Sequence, residues 1–336
     1  MSANIRDRRQ RASTSELICA LEEALSRPIH NIERRPYQFG SSFELEELLI
    51  DLDDGERLNV MFKNLSWSSL TPEGCRAKPG FLYDAAREID VYRFLLVNKR
   101  QGTPIYYGSV VDPAQDRFWL FTEKVDGAEL FQVGDMDQWE EAGRWLAHFH
   151  WDFQQTESSL PGELKSRLVH YDEAYYRQWM GRAQSFQGQN RLAKVELNRL
   201  AQRYDKVVDI LLSLPTTVVH GEFYASNILA CRSHRICPVD WEMTGIGPGL
   251  IDLAALMSGN WSSERRLRIA KAYFEHVHQS QRPNFPEFWR LCQFCRLHLA
   301  IQWLGWSPDW SPPADHQHDW LSEALNLAEE LELSAP

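Results

Sequence analysis

No run of 18 apolar residues occurs anywhere in the 336-residue chain, so the sequence predicts no membrane-spanning helix. Arg6, Arg8, Arg9 and Arg11 stand near the amino terminus, but the apolar segment of a secretory signal peptide does not follow them, and the expected compartment is the cytoplasm. Basic residues are in deficit, with 36 Lys and Arg against 47 Asp and Glu and a net charge of −11. That balance excludes a general nucleic-acid binder, which needs clustered cations to neutralise phosphates. Six cysteines are scattered at 19, 75, 231, 237, 292 and 295. The single C-x-x-C, Cys292 and Cys295, lacks the further ligands of a zinc site and reads as reduced core thiols. A metal-dependent hydrolase would need a denser set of His and Asp; His148 and His150 are two residues apart and point to different faces of one helix. There are no internal repeats or low-complexity tracts, and nothing sets the oligomeric state.

What is present is an ordinary globular balance, 43% apolar and 25% charged, in a chain long enough for two domains. Ser13 to Glu16 has the form of a helix-capping box, and Leu17, Ile18, Leu21 and Leu25 recur at helical spacing, predicting a leading helix over 13–27. Residues 43–52 and 58–63 read as two strands joined by the Asp54–Gly55 turn. Ala85, Ile89, Tyr92 and Leu96 mark a helix over 84–98, and strand-like runs follow at 105–111 and 118–123. Beyond Asp137 the pattern is mostly helical, with helices at 139–149, 163–184 and 191–213, a strand-rich island at 217–230 and 236–241, and helix again from Leu250 to a proline-rich turn at 308–313. The fold class is therefore α+β. A smaller β-rich lobe over 1–125 precedes a larger helical lobe over 126–336.

The chemistry concentrates in His220-Gly221-Glu222-Phe223-Tyr224-Ala225-Ser226-Asn227, a short loop between apolar runs, with Asp240 following 13 residues after Asn227. Magnesium takes hard oxygen ligands, including one or two carboxylates, with phosphate and water completing the shell. Asn227 and Asp240 offer two such oxygens, and Glu222 is left to address a hydroxyl.

This segment resembles the aminoglycoside phosphotransferase and choline kinase group of the protein-kinase-like superfamily, whose signature is H-G-D-x-x-x-x-N followed by an apolar-D-[WF] element. The resemblance implies a bilobal kinase-like fold, use of ATP and magnesium, and phosphoryl transfer to a hydroxyl. It implies that Glu222 orients or deprotonates the acceptor and that Asn227 and Asp240 hold the metal. His220 belongs to the same signature, and Asp252, in Asp252-Leu253-Ala254, corresponds to a buried aspartate bracing the loop. Lys63 at the end of its strand matches the lysine that contacts the ATP phosphates, and Glu88 matches its carboxylate partner. Residues 120–127 (LFTEKVDG) resemble the hinge, so the backbone around Glu123 and Val125 is expected to meet the adenine edge. Leu146-Ala147-His148-Phe149-His150 resembles the family's L-A-x-x-H helix end. The chain has no G-x-G-x-x-G before Lys63; Ser41 and Ser42 stand in the corresponding turn, where backbone N–H groups can donate to phosphate.

One position departs from the signature. The family's aspartate is here Glu222, one methylene longer, and an unadjusted shift of ~1 Å is of the size that costs ~100-fold in rate. The substitution is compatible with a retuned enzyme, expected here because Lys63, Asn227 and Asp240 are all kept, or with a silent nucleotide-binding pseudokinase. The acceptor is expected to be a small molecule, such as an amino alcohol, an aminocyclitol or another natural product. A Ser or Thr of a natural-product precursor peptide is the alternative. Thirteen tryptophans, with Trp289, Trp303, Trp306, Trp310 and Trp320 late in the chain, are compatible with a cage for a cationic amine or with core packing. Glu242, Asp309, Asp315 and His316 are positional candidates for acceptor contact.

Overall fold

Ser13 opens the first helix by the reciprocal bonds its sequence predicts: its hydroxyl accepts from the Glu16 N–H at 3.3 Å, and the Glu16 carboxylate accepts from the Ser13 N–H at 2.9 Å. In this computed structural model the residues described are 12–37, 42–43, 45–97, 102–154, 159–186, 191–232, 235–278, 282–308 and 317–333. Two units partition the chain, Met1–Asp126 and Gly127–Pro336.

In the first unit, helix α1 (Thr14–Leu25) is followed by strands β1 (Ile29–Tyr37), β2 (Leu45–Leu52) and β3 (Arg57–Asn64). Two short helices come next, α2 (Pro72–Ala77) and α3 (Arg87–Asp90), the latter continuing as a wider π turn over Val91–Leu96. Strands β4 (Tyr106–Asp112) and β5 (Arg117–Glu123) complete an antiparallel sheet of order β1-β2-β3-β5-β4. Gly55, at φ +88°, makes the β2–β3 turn that Asp54–Gly55 predicts. Leu17 and Leu21 of α1 pack against Leu48, Ile50, Val60, Phe62, Trp119 and Phe121, all buried, so one face of the sheet is closed by the leading helix. Strand β1 does not stand out in the sequence. Its residues are mixed, with Ile29 and Ile32 packed toward the core among polar neighbours and Pro36 near its end, and it lies at the sheet edge, where a missing N–H and half-exposed side chains are tolerated.

The second unit begins with β6 (Ala128–Glu129) and the long helix α4 (Met136–Gln154), followed by α5 (Gly162–Arg167), β7 (Val169–His170), α6 (Glu173–Phe186), α7 (Arg191–Ala201) and α8 (Tyr204–Ser213). The two helices expected at 163–184 and 191–213 are thus each divided. The first is interrupted by β7, which pairs in parallel with a later strand, and the second breaks at 202–203. The island holds β8 (Thr216–Val219), β9 (Ile228–Ala230), β10 (Ile236–Pro238) and β11 (Gly245–Pro248), and then come α9 (Leu250–Leu256), α10 (Ser263–Phe274), α11 (Phe285–Leu304) and α12 (Trp320–Glu330). The island forms two small sheets, β10-β9-β6 and β7-β11-β8. Helix α11 is apolar around most of its circumference and is buried from Cys292 to Gln302, as a central helix must be. Cys292 and Cys295 lie within that stretch as buried free thiols, and burial pushes both well above the ordinary thiol range. No helix among the described residues is long and apolar enough to cross a membrane.

His298 lies at the centre of α11 with no exposed surface, its Nδ1 2.9 Å from the Tyr204 hydroxyl. Burial pushes it down to about 3 from 6.5. Between those values the unfolded chain binds the proton and the folded chain does not, so stability falls as pH drops below 6.5. The slope is up to about 1.4 kcal/mol per pH unit. Urea unfolding at pH 7, 6, 5 and 4 measures it, and the advantage of the parent over His298→Gln should shrink toward acid. A constant difference across that range would exclude this source.

Candidate active site

In the first unit, Lys63 lies near the end of β3, opposite Leu45 of β2 and Leu120 of β5. Its Nζ is 2.7 Å from Glu88 Oε2 on α3, with the two side chains 12% and 4% exposed. A desolvated pair in such contact fixes the ammonium far more firmly than a surface pair does. The Phe43 ring centroid lies 5.7 Å from the same Nζ. Ser42 is held through its carbonyl, which accepts from the Thr71 N–H at 3.0 Å, and Gly74 packs so tightly there that a Cβ would fall 2.5 Å from that oxygen. Ser41 lies outside the described residues. At the end of β5, Glu123 is tied to Ile105 twice, its N–H donating to the Ile105 carbonyl at 2.8 Å and its carboxylate accepting from the Ile105 N–H at 3.1 Å. Val125 is buried, and the Lys124 N–H before it donates to Asn59 of β3 at 3.0 Å.

In the second unit, β8 delivers His220 into the loop with no exposed surface. The Asp252 carboxylate, also fully buried at the start of α9, accepts from the His220 N–H at 2.7 Å and the Gly221 N–H at 2.9 Å. It also lies 3.2 Å from His150 Nε2 on α4, whose Nδ1 is 2.9 Å from the Tyr273 hydroxyl. An ionised Asp252 only accepts, so His150 carries its proton on Nε2, and a neutral ring then accepts from Tyr273. His220 Nε2 lies 3.0 Å from the Val239 carbonyl, which can only accept, and His220 Nδ1 accepts from the Glu222 N–H at 3.3 Å. The ring is therefore neutral, with its tautomer fixed by both neighbours. Gly221 has φ +86°, and a Cβ there would lie 2.2 Å from the Met243 carbonyl oxygen, so no other residue fits the turn.

That turn places Glu222, half-exposed, at the head of the loop. The Tyr224 N–H donates to the Glu222 carbonyl at 2.7 Å, and the Asn227 amide nitrogen donates to the same carbonyl at 3.0 Å. That bond uses the Asn227 amide nitrogen and leaves its side-chain oxygen out of it. The Val239 N–H donates to the Asn227 carbonyl at 2.9 Å, which sets Asp240 beside Asn227. Asp240 is half-exposed in a left-handed conformation at φ 65°, ψ 66°, a strain of about 1–3 kcal/mol that is characteristic of functional sites. Magnesium, which the sequence resemblance implies, fits this donor set. Two half-exposed hard oxygens sit on adjacent backbone, with room in the shell for phosphate and water.

Tyr273 and Thr217 were not singled out in the sequence, and Trp303 was read only as a candidate for an amine cage or for core packing. Tyr273 supports His150, and the Thr217 hydroxyl donates to the His150 carbonyl at 2.8 Å. Trp303, near the end of α11, donates its indole N–H to the Tyr224 hydroxyl at 2.8 Å. Burial, and after it the Glu222 carboxylate, holds the Tyr224 phenol well above its ordinary value. Of the acceptor candidates, Glu242 is buried in the turn after Asp240, while Asp309, Asp315 and His316, with Trp310, lie outside the described residues. Trp303 stacks on Trp320 with centroids 5.6 Å apart, and Trp306 stacks on Trp179 at 5.7 Å. A separate cavity of about 490 Å³, lined by Arg266, Arg296, His318 and Glu323 among others, contains none of the loop residues.

No curated protein matches the chain in sequence. Among solved structures, a choline kinase from Cryptosporidium parvum Iowa II superposes with a TM-score of 0.59 at 16% identity, covering 90% of each chain. A microcompartment-associated aminopropanol kinase gives 0.60 at 17% identity, over 89% of this chain and 90% of that one. Spectinomycin phosphotransferase, solved with ADP and spectinomycin, gives 0.55 at 15% identity, over 96% and 100%. These likenesses establish the bilobal protein-kinase-like fold. Residues 75–289 match the family described as phosphotransferase enzymes, and the chain belongs to that phosphotransferase enzyme family.

Proposed function

We propose that this chain transfers the γ-phosphoryl group of ATP, with magnesium, to a hydroxyl of a small molecule: an amino alcohol, an aminocyclitol or another natural product. The observation that carries the reading is the braced loop of the second unit. Asp252 fixes His220 and Gly221, and Glu222 then stands on the same loop as Asn227, with Asp240 following Val239, whose N–H donates to the Asn227 carbonyl. Glu222 takes the proton of the acceptor hydroxyl as that oxygen bonds to the γ-phosphorus, and the bond from phosphorus to the bridging oxygen of ADP breaks. Asn227 and Asp240 hold the magnesium, which when bound neutralises phosphate charge. Lys63, fixed by Glu88, addresses the ATP phosphates, while the backbone of Glu123 and Val125 meets the adenine, with Ser42 in the phosphate-facing turn. The names of the similar structures, choline kinase, aminopropanol kinase and spectinomycin phosphotransferase, support an acceptor of the amino-alcohol or aminocyclitol kind.

The test is an ADP-release screen with Mg-ATP against choline, ethanolamine, 1-amino-2-propanol, spectinomycin, simple sugars and serine- or threonine-containing peptides, with Asp240→Ala as the blank. Acceptor-dependent ADP release by the parent and not by the blank supports the reading. A phosphate mass gain confined to peptides would replace it with a peptide kinase. ATP binding with no turnover against any acceptor would leave a silent nucleotide-binding protein.

A further inference from the structure

Helix α2 is fastened to the turn that carries Ser42. Thr71 caps the helix, its hydroxyl accepting from the Gly74 N–H at 2.9 Å, and Pro72 takes the first turn, where a missing N–H is tolerated. The same hydroxyl donates to the Ser42 carbonyl at 3.3 Å, beside the Thr71 N–H at 3.0 Å, and Gly74, with no Cβ, lets the helix come this close. Phe43, the next residue, is buried and pairs with Leu70 across an isolated bridge. The helix ends at Lys78, whose N–H donates to the Gly74 carbonyl at 2.9 Å. Its half-buried side chain turns back over aromatic rings, with Nζ 5.1 Å from the Phe43 centroid and 6.0 Å from that of Tyr83. Tyr83 is itself held, its hydroxyl donating to the Leu65 carbonyl at 2.7 Å and its ring meeting Trp67 edge to face at 4.8 Å. Lys63 Nζ lies 5.7 Å from the same Phe43 centroid. Two ammonium groups from separate elements therefore meet one buried ring beside the Ser42 turn. A ring face attracts a cation, but two cations at one ring repel each other, and an anion beside them relieves that repulsion.

We propose that Lys78 is a second cation for the nucleotide phosphates, set beside Lys63 by α2 and the Phe43 ring. The assignment rests on the nucleotide reading given above and deepens it. The Lys63–Glu88 pair brings no net charge of its own to a triphosphate, which carries several negative charges, and Lys78 adds one positive charge where the turn meets the phosphates. An ammonium suits that task, being a point charge with three donors that can follow more than one phosphate oxygen. Phe43 is then the residue that fixes the relation of the two lysines, because both ammonium groups are drawn to its ring.

The experiment is isothermal titration of ATP, ADP and adenosine, with magnesium, into the full chain and into Lys78→Met, Lys78→Gln, Lys78→Arg and Lys63→Met. Methionine keeps an apolar stem against Phe43 and removes the charge; glutamine is the second neutral variant should the first fail to fold. Either neutral variant should raise the Kd for ATP about ten-fold, the scale of a hydrogen bond to a charged group. Adenosine, which has no phosphate, should bind the parent and both neutral variants alike, and Lys78→Arg should hold ATP within about three-fold of the parent. The difference between the parent and the neutral variants should shrink at high salt, where charge is screened. Unchanged ATP affinity in the neutral variants, with Lys63→Met weakened, overturns the assignment and leaves the kinase reading standing. An equal loss for adenosine and ATP also overturns it, because Lys78 would then be supporting the fold and not the phosphates. A parent that binds neither ATP nor ADP overturns this assignment and the nucleotide reading together.

Discussion

Asp252→Ala should be among the most damaging single substitutions in the second unit, lowering unfolding free energy by about 3–5 kcal/mol. The carboxylate is fully buried and accepts from two backbone N–H groups and from the His150 ring. Removing it leaves the His220 and Gly221 N–H groups and His150 Nε2 without an acceptor in a place that water does not reach, and buried donors stripped of their partners cost about 1–3 kcal/mol each. Asp252→Asn should be milder on stability, because one side-chain oxygen survives, yet its new N–H faces donors it cannot satisfy. Both variants should also lose activity by ~100-fold or more, since Glu222 and Asn227 are placed by the backbone that Asp252 holds and a ~1 Å displacement is enough for that. Chemical denaturation and ADP release, measured on the same preparations, check the two effects. The exposed Arg177, paired with Glu173 and Asp205, provides the contrast, because solvent screens that pair and Arg177→Ala should leave stability within the margin of the measurement. Stability within that margin for Asp252→Ala would mean that the bonds at His220 and Gly221 do not brace the loop.

The loop was legible in the sequence because its chemistry is local. Glu222 and Asn227 are five residues apart, and the strands on either side appear as apolar runs that return Asp240 to Asn227 through a short hairpin. Lys63 and Glu88 were legible for a related reason, one at a strand end and the other on the next helix of that pattern, and they form an ion pair. Asp252 as the brace came from the family resemblance, and it does hold the His220 and Gly221 N–H groups, but the other partners around the loop were not legible, because they are brought together only by packing. His150 meets Asp252 across 102 positions, Tyr273 meets His150 across 123, and Trp303 meets Tyr224 across 79. A tryptophan in an apolar helix carries no mark that its N–H will reach a loop hydroxyl. Secondary structure failed in the same physical way. Strand β7 is two residues long and exists because β11 pairs with it, and β1 is a mixed edge strand whose pattern a loop would share. The π turn at Val91–Leu96 continues an apolar stripe that reads as ordinary helix.

The role of Glu222 itself has the sharpest consequence. Glu222→Gln keeps the length and polarity of the side chain but cannot take a proton from the acceptor, so kcat should fall by ~100- to 10,000-fold, the usual weight of general-base catalysis. ATP affinity should stay within about two-fold, since the proposed phosphate and metal contacts belong to Lys63, Asn227 and Asp240 and a uniform loss of binding is not what this substitution removes. Asp240→Ala should differ by weakening nucleotide binding in magnesium as well as turnover. Isothermal titration with a non-hydrolysable ATP analogue, alongside ADP release with the acceptor found by the screen, separates the two patterns. Glu222→Asp provides the remaining discrimination. It retains a base of similar strength, so a loss there of ~10- to 100-fold measures displacement alone, and the further loss in Glu222→Gln measures the proton. If the glutamine variant were as active as the parent, the hydroxyl would be losing its proton by another route, as phosphoryl transfer with a loose transition state permits, and Glu222 would be reduced to orienting the acceptor.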